Sequence, residues 1–106
     1  MLTPSQIISG SQMTAAAVTY YTAAQQTIVQ SMDLCNTTVG AVACTVYIVP
    51  LGGPTNATTT IISARSIAAG ETYTCPEAVG MVVEVGGLIR GLGLNVTIIA
   101  SGVKVS

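Results

Sequence analysis

Few side chains in this sequence could do chemistry, and their spacing suits it poorly. There is no histidine, so no imidazole can activate a serine or cysteine nucleophile or serve as a general base. The carboxylates are Asp33, Glu71, Glu77 and Glu84. A glycosidase pair needs two carboxyl groups facing each other across a cleft, about 5 Å apart for retention or about 6.5 to 9.5 Å for inversion. Only Glu71 and Glu77 lie near one another, and both flank turns, where solvated acids are common. Cys35, Cys44 and Cys75 lack Cys-x-x-Cys spacing and, without His, a usual zinc set. They read as buried free thiols; a Cys35 to Cys44 bridge requires a hairpin that sets them face to face. No catalytic, cofactor-binding or metal-binding residue is assigned, and the chain is not read as an enzyme.

Three further motifs belong to turns. Leu51-Gly52-Gly53 and the Gly-rich run from Val85 to Gly93 lack a Lys-Ser/Thr pair and a following helix, so neither cradles phosphate. Asn36-Thr37-Thr38, Asn56-Ala57-Thr58 and Asn95-Val96-Thr97 match the N-glycosylation pattern, which arises readily by chance in a chain rich in Thr and Ser. Tyr20, Tyr21, Tyr47 and Tyr73 could stack on a sugar or, more simply, lie on strand surfaces and interfaces.

With 106 residues, the chain is long enough for one modest core. Half of it is hydrophobic and only 7% is charged, with a net charge of −1. Three scattered cations cannot neutralise a run of phosphates, which excludes nucleic acid as a partner. Ser, Thr, Gln and Gly interrupt every apolar run before the ~20 residues of a helical membrane span. Met1 to Gly10 lacks the basic and apolar regions of a secretory signal, so synthesis in the cytoplasm is expected. So weakly charged a surface is poorly protected against association, and other subunits should cover much of it.

These residues must be positioned by strands. Cys44-Thr45-Val46-Tyr47-Ile48-Val49 alternates Cys44, Val46 and Ile48 on an inward face with Thr45, Tyr47 and Val49 on the other, which predicts a central strand over 42–49. Pro50 and Gly52-Gly53 end it. Residues 1–16 show no sustained period and are expected to form an extended arm, with Leu2, Ile7, Ile8 and Met13 as anchors on a neighbour; its removal should leave the domain folded. The domain then spans 17–106. Short strands are expected near 18–21, 27–35 (Ile28, Met32 and Leu34 on one face), 58–66 (Ile62 and Ala64 on one face), 72–75, 81–85, 88–91 and 95–105. A helical turn is expected at 76–80, a hairpin turn at Gly86-Gly87 and a bulge at Ser101-Gly102. About eight short strands with Gly, Pro and Asn between them predict an antiparallel β-sandwich, jelly-roll-like, with an N-terminal arm. Val96-Thr97-Ile98-Ile99 is apolar on both faces, and its outer face calls for a partner.

The order of motifs resembles that of small virion proteins encoded among tailed-phage structural genes. Tyr20-Tyr21-Thr22-Ala23, Cys35-Asn36-Thr37, Thr45-Val46-Tyr47-Ile48-Val49-Pro50, Ala68-Ala69-Gly70-Glu71-Thr72-Tyr73, Pro76-Glu77 and Ala100-Ser101-Gly102-Val103 carry the likeness, roughly from Ala17 to Ser106. The resemblance implies a β-sandwich like the jelly-roll cement proteins of short-tailed phages. Such a protein decorates the outside of a capsid and is assembled in the host cytoplasm. Its implied partners are the major capsid protein and its own copies, as a homo-oligomer such as a dimer, with no nucleic acid, membrane or cofactor. Leu2, Ile7, Ile8, Met13, Tyr20, Tyr21, Tyr47 and Tyr73 are the candidate contacts. A tail- or fibre-associated adaptor, or a receptor- or glycan-binding module, is the alternative.

Overall fold

The computed structural model describes residues 2–105. Nine strands build it: β1 (Leu2–Gln12), β2 (Val18–Thr22), β3 (Gln26–Asn36), β4 (Val42–Val49), β5 (Thr60–Ile67), β6 (Thr72–Thr74), β7 (Val82–Val83), β8 (Leu88–Leu92) and β9 (Val96–Val105). One sheet has the order β1-β9-β3-β6, with the two-residue β7 also on β3; the other has the order β2-β8-β4-β5. With β7 set aside, the pairs nest: β1 with β9, β2 with β8, β3 with β6 and β4 with β5, all antiparallel. That is one long hairpin folded over on itself, the jelly-roll arrangement of a β-sandwich. The core between the sheets is aliphatic, with Val29, Met32, Leu34, Val46, Ile62, Ile89, Val96 and Ile98 all buried.

The central strand lies where its sequence pattern puts it. β4 covers Val42–Val49 and is hydrogen-bonded on both sides, to β8 and β5. Cys44 and Val46 are fully buried and Ile48 is partly buried against the same core, but Val49, expected on the outer face, is buried as well, so the alternation fails at the end of the strand. Beyond it, Gly52 takes φ 74° and the Gly53 N–H donates to the Pro50 carbonyl at 2.8 Å. Positive φ carries no steric cost at glycine, so the strand can turn there.

Elsewhere, extra residues in one strand of a pair shift the expected faces. On β3, Val29 pairs with Gly102 and Ser31 with Ser101, so Gln30 is inserted. The inward set is therefore Val29, Met32 and Leu34, while Ile28 is only half-buried. The bulge expected in β9 lies in its neighbours instead; β9 runs unbroken. Gly102 is needed there because a Cβ would stand 2.6 Å from the Ile28 carbonyl oxygen. On β5, Ala64 adopts φ 46° within a register shift, its N–H donates to the Thr45 hydroxyl at 3.0 Å, and Ala64 is exposed while Ile62 is buried.

Residues 2–12 of the segment read as a free arm form β1, the edge strand on β9. Ile7 is the extra residue between the pairs Gln6–Ser101 and Ile8–Ala100. A bulge breaks strict alternation, so Ile7 and Ile8 both enter the core, and Met13 follows at 1% exposure. Met1 lies outside the described residues. Two local expectations also change. Residues 76–80 form successive turns rather than a helical turn, ending where the Gly80 N–H donates to Val29. Gly86-Gly87 does not close a hairpin, because β7 belongs to one sheet and β8 to the other; it carries the chain across the sandwich, held by reciprocal backbone bonds with Ala23.

Candidate functional site

Two charged side chains, Arg65 and Glu77, meet around Tyr73 at the open side of the sandwich between β5 and β6. The Arg65 guanidinium stacks 4.2 Å from the ring centre of Tyr73. The Tyr73 hydroxyl donates to both carboxylate oxygens of Glu77, at 2.6 and 2.8 Å. This hydrogen bond holds the Glu77 carboxyl below the ordinary carboxylate range and the Tyr73 phenol above its own. Glu71 is committed to its own turn, accepting from the Ala68 N–H at 3.1 Å. Both acids of the nearest carboxylate pair are thus occupied by local bonds.

Beside this cluster, where β6 leaves β3 and the chain loops back as β7, lies a cavity of about 290 Å³. Met32, Cys75, Pro76 and Val79 line it, with Asp33 and Thr74 among the polar residues. Burial, with Glu77 and Asp33 nearby, pushes the Cys75 thiol up to about 12. Burial also raises Cys44. Only a thiolate is a strong nucleophile, so both thiols stay protonated and inert near neutral pH. Cys35, Cys44 and Cys75 are all free. Among the described residues no three His, Cys, Asp or Glu side chains gather as a metal ligand set.

The tyrosines do not form a common platform. Tyr20, Tyr21 and Tyr73 pack against the core, and the Tyr21 hydroxyl bonds to the buried Thr27 at 2.8 Å. Tyr47 stands apart on the outer face of the β2-β8-β4-β5 sheet, paired with Arg90. Arg90 ties two loops over that face, donating to Thr55 Oγ1 at 2.9 Å and to the Ala17 carbonyl at 3.1 Å. The Arg90 Nε and the Tyr20 hydroxyl are buried without partners among the described residues.

Two of the three Asn-x-Thr matches are turn devices. Asn36 Oδ1 accepts from the Thr38 N–H and hydroxyl at 2.9 and 2.7 Å, and Asn56 does the same with Thr58 at 2.9 and 2.6 Å. Asn36 is also fully buried, with Nδ2 donating to the carbonyls of Gly40 and Ile67. That amide is unavailable to a glycan in the folded protein. Asn95 takes φ 64° in the turn before β9, a conformation that asparagine tolerates better than most residues.

Part of the remaining surface is apolar. Large aliphatic side chains are exposed at Leu2, Val79, Val82 and Val85 and, at 76%, Leu51. Leu2, Val82, Val85 and Leu51 lie toward the end of the sandwich where β1 starts and β9 finishes, whereas Val79 lies beside the middle of β3, at the cavity lined by Ser31 and Met32. Leu51 reaches the backbone at Gly86, where an added Cβ would meet it at 2.9 Å. At the opposite end, Val39 and Leu94 stand out from the loops before β4 and β9. Leu2 was among the residues expected at contacts, while Val79, Val82, Val85 and Leu51 were not. Gly and Pro beside Leu51 signalled a turn, and a turn is where an aliphatic side chain finds no core.

No family model matches the chain, and no curated protein matches it. Among solved structures it is similar to a chain in "Structure of infectious bursal disease virus Gx strain", with TM-score 0.48 and 15% identity over 97% of this chain and 30% of that one. A chain in "Structure of infectious bursal disease virus Gt strain" gives TM-score 0.43 and 14% identity over 98% of this chain and 31% of that one. The chain therefore spans about 30% of the length of those chains. Likeness of this degree carries no argument about function.

Proposed function

We propose that this protein is a virion structural component that binds the outside of a capsid as an oligomeric cement or decoration protein. The observation that carries the reading is the set of exposed aliphatic residues, Leu2, Leu51, Val82 and Val85, at one end of a jelly roll with only seven charged residues. Burying such surface stabilises a complex by about 25 cal/mol per Å² before ordering costs, and contiguous apolar surface rimmed by polar residues marks protein contacts. The order of sequence motifs supports the same reading. So does the state of the titratable groups: the buried thiols are protonated, and Glu71 and Glu77 are held in local bonds. The partner is the major shell protein, and the location is the capsid surface.

The experiment is co-sedimentation of the purified chain with intact particles. Wild type should pellet saturably, and a Leu51→Ser/Val85→Ser variant with unchanged melting temperature should stay in the supernatant. Equal pelleting by both would remove this end as the contact. The fibre-associated alternative, a glycan-binding module, has less support, because three of its four candidate tyrosines pack inward.

A further inference from the structure

We infer that β1 is exchanged between two copies of this chain, giving a dimer in which each β1 lies on the other's β9. β1 is a sheet edge and pairs with β9 alone. It carries no charged side chain, and the segment up to the hinge is held to the body by the β9 ladder, the backbone bonds of Met13 and Thr14, and three core anchors, Ile7, Ile8 and Met13. The slot it fills on one copy accepts the same strand from another without any change of contact, because the sequences are identical. Exchange therefore keeps every strand contact and changes only the connection to β2.

That connection has the form of a hinge. The Met13 N–H donates to the Val96 carbonyl at 2.8 Å, and the Thr14 carbonyl accepts from the Gly93 N–H at 2.9 Å. On the far side, the Ala17 carbonyl takes the Arg90 Nη2 bond at 3.1 Å. Between these fixed points stand only Ala15 and Ala16, both exposed, with one local bond from the Thr14 hydroxyl to the Ala16 carbonyl at 3.0 Å. Rotation at these two small residues redirects β1 while leaving Thr14 and Ala17 able to remake their bonds. The same segment was read from sequence as an arm laid on a neighbour, and exchange lets it be both a strand and an arm.

The test uses full chains in a Cys35→Ser background and no particle, so its failure would leave the capsid reading standing. Gln6 and Ser101 are register partners across β1 and β9, and facing strand residues lie within disulfide reach. One population carries Gln6→Cys and the other Ser101→Cys; they are unfolded together, refolded at high concentration and oxidised. Exchange predicts a covalent dimer whose 6–101 bridge is found by peptide mass spectrometry. No covalent dimer from the mixture, while the doubly substituted single chain closes its own bridge, would overturn the proposal. Deleting Ala15 and Ala16 gives a second reading: β1 can no longer return to its own β9, so the variant should be wholly dimeric, and a folded monomer would contradict exchange.

Discussion

The Tyr73 hydroxyl donates to both carboxylate oxygens of Glu77 while the Arg65 guanidinium lies on the Tyr73 ring, so one side chain from β6 ties an edge of each sheet together. The Glu77 pKa is lowered in the fold, so its contribution is complete above the unfolded value and fades as pH falls through the folded one. The Tyr73 pKa is raised, so its contribution is complete below the unfolded value and is lost as pH rises through the folded one. Melting temperature should therefore be flat near neutrality and fall at both the acid and the alkaline ends. Tyr73→Phe should shrink both slopes, measured by thermal melts from about pH 3 to about pH 11.

Asn36 fills a buried corner with four hydrogen bonds: two donated to Gly40 and Ile67, two accepted from Thr38. Asn36→Ala leaves the Ile67 carbonyl dry and unpaired and should cost about 3 kcal/mol. Urea unfolding reads this directly, and a loss below about 1 kcal/mol would show that water replaces the amide.

Tyr20 is the extra residue of β2 opposite β8, and its hydroxyl is buried without a partner among the described residues. Removing an unsatisfied buried group relieves a desolvation penalty. Tyr20→Phe should leave stability unchanged or raise it by up to about 1 kcal/mol in the same unfolding assay.

The thiols should separate by burial. Cys35 is half-buried on the outer side of β3, whereas Cys44 and Cys75 are fully buried. A soluble disulfide reagent at mildly alkaline pH should modify Cys35 in the native protein and all three only after unfolding. Fast native labelling of Cys75 would contradict its burial and its raised pKa.

Sequence pattern and structure agree where alternation is unbroken. The bounds of β4 were legible because Cys44, Val46 and Ile48 alternate and Pro50 stops the ladder, but its faces were not legible to the end, since Val49 is buried and Ile48 only partly so. Gln30, Ile7 and Ala64 escaped because a bulge is set by the pairing strand, and the pairing of β3 with β9 joins residues far apart in sequence. The same blindness turned β1 into an arm: Ile7-Ile8 alternates with nothing until an inserted residue turns both inward. Three of the four tyrosines were open to either face, and only the bulged register of β2 and the reach of Tyr73 to Glu77 decided them. The exposed aliphatic end was illegible, because Leu51 and Val85 in loops and Val82 in the two-residue β7 come to one end only in the folded sandwich.

The central claim is that this chain belongs to a particle's outer surface, and its amount in purified particles tests that most directly. Quantitative mass spectrometry should find it in numbers comparable to the major shell protein, with mild protease removing it while the shell stays intact. Its absence from purified particles, or a mere handful of copies resistant to protease, would contradict the account.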